Sequence, residues 1–206
     1  MSPADRRPLA SRDTAWARRL AAALARSAVT PNQISMLSVV FAGLGAWALV
    51  GARPLPLIGA AVCVQLRLLC NLIDGMVAIE GGKQSPVGAI YNEFPDRIAD
   101  SLLIVALGYA AWVPWVGWLG ALLAALTAYV RATGGALGFA QDFRGPMAKP
   151  QRMAVLTAAC LIGAAELHWN GTRHALLAAA IVIAAGSAFT CATRTLELAR
   201  RLSEKA

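Results

Sequence analysis

Between Asn71 and Asp100 the chain carries four carboxylates (Asp74, Glu93, Asp96 and Asp100) and two carboxamides (Asn71 and Asn92), in stretches otherwise apolar enough to lie in a membrane. A charged side chain at bilayer depth costs roughly 2.5–3.5 kcal/mol on insertion scales, so a group of acids there calls for a ligand or counter-ions that offset it. Carboxylate and carboxamide oxygens with no His or Cys nearby are hard donors. They suit Mg²⁺, Mn²⁺ or Ca²⁺ and argue against zinc or copper, and Mg²⁺ or Mn²⁺ is the natural choice for phosphate chemistry. The alternative is a structural network in which the acids pair with Arg67, Arg97 and Arg131, but four acids against three arginines leave charge over.

The spacing brings these groups together. On a helix Asn71, Asp74 and Ala78 share one face, with Gly75 beside them leaving the backbone open to close approach. Gly88, Asn92, Asp96 and Asp100 follow at four-residue steps, a stripe that drifts by about 40° each time, and Glu93 adds a carboxylate to it. Pro95 removes one helical hydrogen bond; it either frees the Tyr91 carbonyl for water, a cation or a substrate, or simply kinks the helix for packing.

The elements that must hold these residues are membrane spans. Hydrophobic stretches near 33–51, 54–79, 86–111, 113–140, 151–167 and 173–197 each approach or exceed the ~17–25 residues that a helix needs to cross a bilayer. The expected architecture is all-α and integral to the membrane, with six transmembrane helices. From Leu55 to Ile79 is about 25 residues, or roughly 37 Å, more than a ~30 Å hydrocarbon core requires, so the end with Asn71 and Asp74 reaches toward the headgroups. Gly81-Gly82-Lys83 then turns the chain, and the third span carries its acids back beside them. Ahead of the spans, Trp16, Leu20 and Leu24 recur at four-residue steps among Arg18, Arg19 and Arg26, which predicts an amphipathic helix lying in the interface. Thr30-Pro31-Asn32-Gln33 supplies a cap hydroxyl, a first-turn Pro and a Gln three residues on, which together start the first span. The chain divides into an N-terminal segment, 1–30, and a six-helix domain, 31–206; no internal repeat or appended soluble domain is evident.

Composition agrees. At 58% hydrophobic residues and a mean hydropathy of +0.57, the 206-residue chain is too apolar for a soluble domain. With both termini cytoplasmic, the basic loop and terminal residues fall inside except Arg53 and Arg173, a strong positive-inside bias. The net charge of +8 therefore needs no nucleic-acid partner; a basic rim against anionic lipid headgroups accounts for it, and the expected location is the cell (inner) membrane. Cys63, Cys70, Cys160 and Cys191 lie in spans without CxxC spacing and read as core residues, His168 and His174 read as loop residues, and the Arg-rich polar N-terminus does not resemble a cleavable signal.

From Asn71 to Asp96 the sequence reads N-x2-D-G-x2-A-I-x8-G-x3-N-x3-D. This resembles, in register over the whole motif, the D-x2-D-G-x2-A-R-x8-G-x3-D-x3-D pattern of the CDP-alcohol phosphotransferase family. Asp74, Gly75, Ala78, Gly88 and Asp96 fit it, whereas Asn71, Ile79 and Asn92 depart from its first Asp, its Arg and its third Asp, as in a divergent bacterial branch. The resemblance implies a six-helix fold, a homodimer, and a cytoplasmic-side site with two ions, Mg²⁺ or Mn²⁺. There a CDP-linked donor such as CDP-diacylglycerol passes its phosphatidyl group to a small alcohol and releases CMP, in phospholipid synthesis.

On that resemblance Asp96 is the general base, and Asn71, Asp74, Asn92 and Asp96 form the metal shell. Glu93 and Asp100 restore the number of carboxylates to four and are expected to compensate at the second ion. Gly75, Ala78 and Gly88 let the nucleotide approach, with Lys83 standing in for the missing motif Arg. Arg131, Lys149 and Arg152 resemble the family's basic positions near the acceptor, which then carries a phosphate or another anionic group; ordinary inside-loop charge is the alternative for Lys149 and Arg152. Two other readings compete. One is a metal-ion or proton-coupled carrier, which the one-sided acids and the lack of a repeat disfavour. The other, favoured by the three departures, is a non-catalytic CDP-lipid-binding or scaffolding homologue.

Overall fold

The computed structural model describes residues 14–205; Arg6, Arg7 and Arg12, assigned to the basic inner rim, lie outside the described residues. Seven helices account for the regular structure described: α1 (Ala15–Ala25), α2 (Pro31–Gly51), α3 (Pro54–Ile79), α4 (Gly88–Ala110), α5 (Pro114–Ala136), α6 (Lys149–Trp169) and α7 (His174–Lys205). Four of them, α2, α3, α5 and α7, are long and apolar enough to cross a membrane by length and composition. The other two expected spans correspond to α4 and α6, which are helical over 23 and 21 residues but carry charge: Glu93, Asp96, Arg97 and Asp100 on α4, and Lys149, Arg152 and Glu166 on α6.

Local sequence sets the helix ends. Thr30 and Gln33 form a reciprocal capping box, in which the Gln33 N–H donates to Thr30 Oγ1 and the Thr30 N–H donates to Gln33 Oε1, with Pro31 in the first turn. Prolines also open α3, α5 and α6, where a missing N–H costs nothing. Pro95 is buried inside α4, and the helix runs through it. His168 lies in the last turn of α6 rather than in a loop.

The six longer helices close into a ring. α2 packs on α3 and α4, α5 on α4 and α7, and α6 on α3 and α7. The core between them is rich in Ala, with Leu49, Leu57, Leu103, Leu107, Met153, Leu156 and Ile183 fully buried. Small residues let backbones approach where no water drives association. A Cβ on Gly108 would stand 2.6 Å from the Cα of Gly117, so the α4–α5 hairpin depends on glycine at both positions. Large apolar side chains point outward, and five of the six tryptophans (Trp47, Trp112, Trp115, Trp118 and Trp169) are exposed near one end of the ring, as in the aromatic belt of a membrane interface. At that end Arg173 donates to the Ala110 carbonyl at 2.8 Å and stacks over Trp112.

The short helix α1 forms where expected and packs on α3 through small residues. Ala17 and Ala21 are buried against Leu72, Ile73, Met76 and Val77 of α3, while Trp16 and Leu20 point outward. Alanines allow the closer helix approach, and Leu24, the third residue of the expected stripe, is partly buried beside them. Gly81 makes this contact possible, since a Cβ there would meet the Val77 carbonyl at 2.5 Å and Ala25 at 2.8 Å.

Candidate functional site

Opposite the tryptophan-rich end, the first turns of α2, α4 and α6 and the last parts of α3, α5 and α7 surround a cavity of about 840 Å³. That volume suits a ligand larger than a simple ion or alcohol. The N-termini of α2, α4 and α6 face the same space with the positive ends of their dipoles, an arrangement that favours anions.

Asp74, Asp96, Asn71, Asn92 and Glu93 all line the cavity, so the α3 and α4 motif faces do converge. Asp74 is 4% exposed and accepts only neutral donors, the Ser35 hydroxyl on Oδ2 at 2.5 Å and the Gly75 N–H on Oδ1 at 2.6 Å. Its neighbour Asp96 lies close enough for the two like charges to act on one another. Asp96 is held by cations and an amide: Lys149 Nζ reaches Oδ2 at 2.5 Å, Asn71 Nδ2 donates to Oδ1 at 2.6 Å, and Arg97 and Arg67 stand at 3.6 and 3.5 Å. Facing a carboxylate, which only accepts, Asn71 must turn its NH₂ inward; this leaves its carbonyl oxygen for another partner.

Glu93 and Asp100, expected to compensate at a second ion, are each engaged by arginine. Asp100 does not line the cavity; its Oδ1 takes Arg67 at 2.5 Å and its Oδ2 takes Arg152 at 2.8 Å, and all three side chains are buried. Arg152 also donates to the Met147 carbonyl at 2.8 Å, so the pair fixes α3, α4 and the start of α6 to one another. Glu93 makes a two-oxygen ion pair with Arg131 at 2.6 and 2.7 Å, and Arg131 also bonds Gln141 and lies over the Phe143 ring. Lys83 turns back to the carbonyls of Leu24, Ser27 and Val29 at 3.4, 2.5 and 3.1 Å, capping the end of α1 while still lining the cavity. Gly75, Ala78 and Gly88 line it as well, beside the departing position Ile79.

Ser35, Gln141 and Phe143 were not singled out from sequence. A lone Ser in an apolar helix ordinarily bonds its own backbone, and Ser35 also does that to the Pro31 carbonyl at 3.2 Å, so no periodic signal marks it. In all, six cationic side chains (Lys83, Arg97, Arg131, Lys149, Arg152 and Arg194) and three acids (Asp74, Glu93 and Asp96) line the cavity, an excess that favours an anionic occupant.

A divalent ion fits the donor set. No group of three or more His, Cys, Asp or Glu side chains clusters among the described residues. The available ligands are instead the Asp74 and Asp96 carboxylates with carboxamide oxygens, hard donors suited to Mg²⁺ or Mn²⁺, and the deeply buried Asp74 has no ion-pair partner among the described residues.

Comparison with known proteins agrees with this architecture. Over 80% of its length the chain is 31% identical to the archaetidylinositol phosphate synthase of Aeropyrum pernix, covering 81% of that protein. It is 27% identical to the phosphatidylinositol phosphate synthase of Streptomyces avermitilis, over 89% of this chain and 78% of the other. In fold it matches the phosphatidylinositol phosphate synthase of Mycobacterium tuberculosis, solved with CDP-DAG bound, at a TM-score of 0.72 and 22% identity over 88% of this chain and 92% of that one. The same enzyme in complex with manganese and citrate gives a TM-score of 0.74, at 22% identity and 88% coverage of both chains. The family model described as CDP-alcohol phosphatidyltransferase matches residues 28–192, and the chain is thus an integral membrane member of the CDP-alcohol phosphatidyltransferase family.

Proposed function

We propose that the cavity binds CDP-diacylglycerol or a related CDP-alcohol together with Mg²⁺ or Mn²⁺, and transfers its phosphatidyl group to a small phosphorylated alcohol with release of CMP. The observation that carries this reading is the juxtaposition of Asp74 and Asp96 in one cavity whose remaining charged groups are mostly cationic. Asp96 takes the proton of the acceptor hydroxyl. The acceptor oxygen then forms a bond to the phosphorus bearing the lipid alcohol, and the bond from that phosphorus to the CMP oxygen breaks. A divalent ion bound by Asp74, Asp96, Asn71 and Asn92 would supply charge neutralisation for the pyrophosphate and the departing CMP.

The chain's own residues orient the reactants. Gly75, Ala78 and Gly88 leave room for the nucleotide beside α3 and α4, and Lys83 closes that side. Lys149 has three N–H donors; one is given to Asp96, and the others can hold the acceptor's phosphate beside the base. Arg131 and Arg152 add positive charge to the acceptor side, each already oriented by an acid. The names of the two curated relatives favour an inositol phosphate as the acceptor.

The same reading takes α2–α7 as six crossings forming one domain over 31–206, with α1 and the segment 1–30 at the cytoplasmic face. Trp16 and Leu20 then meet the lipid interface. Both termini lie in the cytoplasm, and the protein acts as a homodimer in the cell membrane. The test is CMP release by purified protein from CDP-diacylglycerol, with and without Mn²⁺ or Mg²⁺, across phosphorylated and neutral alcohols. Release that needs metal and is selective for a phosphorylated acceptor supports the reading; metal-independent release, or equal rates with the neutral alcohols, contradicts it.

A further inference from the structure

The two carboxylates of the site are compensated in opposite ways. Asp96 has a cation or a strong donor on each oxygen, Lys149 on Oδ2 and Asn71 on Oδ1, with Arg97 behind them. Asp74, 96% buried, has a hydroxyl and a backbone N–H in contact with it, and the Lys149 charge reaches it only from beyond ion-pair distance. A first divalent ion at Asp74 therefore meets a carboxylate with no cation in contact, whereas a second ion seated on Asp96 Oδ2 would have to enter against an ammonium already in contact with that oxygen. The side chain that could add a charge at this point is an amide. Asn71 donates where an aspartate would present a second anion to Asp96, and Asn92, exposed on the cavity wall, is neutral as well.

Resting on the proposed metal-dependent transfer, the geometry points to a site that holds one divalent ion per chain, on the Asp74 side, with the Lys149 ammonium and the Asn71 amide taking at Asp96 the place of a second ion. Lys149 is then a built-in counter-ion: it is present whether or not metal is bound, and it stands beside the proposed base. The arrangement also predicts what restores a second ion. Either carboxylates return at positions 71 and 92, or the ammonium leaves.

The experiment counts Mn²⁺ bound to the full chain in detergent micelles, from the loss of the free-ion electron paramagnetic resonance signal during titration. The wild-type protein is expected to bind one Mn²⁺ per chain, and Asn71→Asp/Asn92→Asp two. Lys149→Met, which adds no charge to the membrane and serves if the double variant fails to give a monodisperse preparation, is also expected to bind two. Two ions on the wild type, or one on a well-folded variant of either kind, overturns the inference. CMP release measured on the same preparations separates the two claims: two ions with intact metal-dependent release removes only the single-ion site, while no bound ion together with metal-independent release removes the proposed metal chemistry as well.

Discussion

Ser35 shows how one hydroxyl shapes the site: by donating to Asp74 Oδ2 at 2.5 Å it fixes the direction in which the carboxylate faces the cavity. Removing an orienting partner of this kind typically weakens metal binding 10–100-fold, so Ser35→Ala should lower Mn²⁺ affinity by about that factor with the fold intact, as read by the same titration. Asp100 belongs to a different class of residue. With both oxygens bound to buried arginines, its loss takes from Arg152 its carboxylate and from Arg67 the shorter of its two ion pairs, and Asp100→Ala should cost about 3–5 kcal/mol, seen as a fall in thermal unfolding temperature in detergent. If Asp100→Ala instead kept wild-type stability and lost bound Mn²⁺, the anchoring role would be wrong. From sequence alone Asp96 and Asp100 look alike, since four-residue spacing puts both on one stripe of α4. What separates them is which arginines arrive from α3 and α6, and helical periodicity carries no information about partners more than thirty residues away.

At the scale of helices, most of the arrangement was readable. Apolar runs of sufficient length, prolines at first turns and the Thr30/Gln33 capping pair marked α2 to α6 and the start of α7 to within a few residues, while α7 continues past the expected end at 197 to Lys205. The contact of α1 with α3 carries no periodic signal, because it is made through Ala17 and Ala21 with Leu24 partly buried beside them, while Trp16 and Leu20 of the expected interfacial stripe are exposed. Lys83 ties this helix down through three carbonyls at the end of α1. Lys83→Ala should therefore loosen the α1–α2 connection, and limited trypsin should cut faster at Arg18, Arg19 or Arg26; unchanged cleavage would show that the Ala–Gly81 contact alone holds α1. The α4–α5 hairpin makes a sharper test. Gly108→Val drives a side chain into Gly117 of the next helix, and overpacking of this kind costs about 1–3 kcal/mol, again visible in the unfolding temperature.

For the molecule as a whole, the ring of six helices gathers charges that are far apart in the chain into one cavity at the end opposite the tryptophans, while large apolar side chains cover much of the outer face of the helices. The charge balance of that cavity follows from the ring rather than from the motif, because Arg131, Lys149, Arg152 and Arg194 come from α5, α6 and α7. Residues 71–96 alone account for the acids and the cavity-lining Gly75 and Gly88, but not for most of the basic surroundings that favour a phosphorylated acceptor. The central claim is that Asp96, held by Lys149 and Asn71, is the base for transfer from a CDP-linked lipid. The most direct test uses protein reconstituted with CDP-diacylglycerol and Mn²⁺, and follows a radiolabelled phosphorylated polyol as it moves into the organic phase in step with CMP. The account predicts equal amounts of lipid product and CMP from the wild type and a loss of at least 100-fold in Asp96→Asn, within the range that general-base catalysis contributes. Transfer by Asp96→Asn at the wild-type rate, or CMP formed with no labelled lipid, would contradict it.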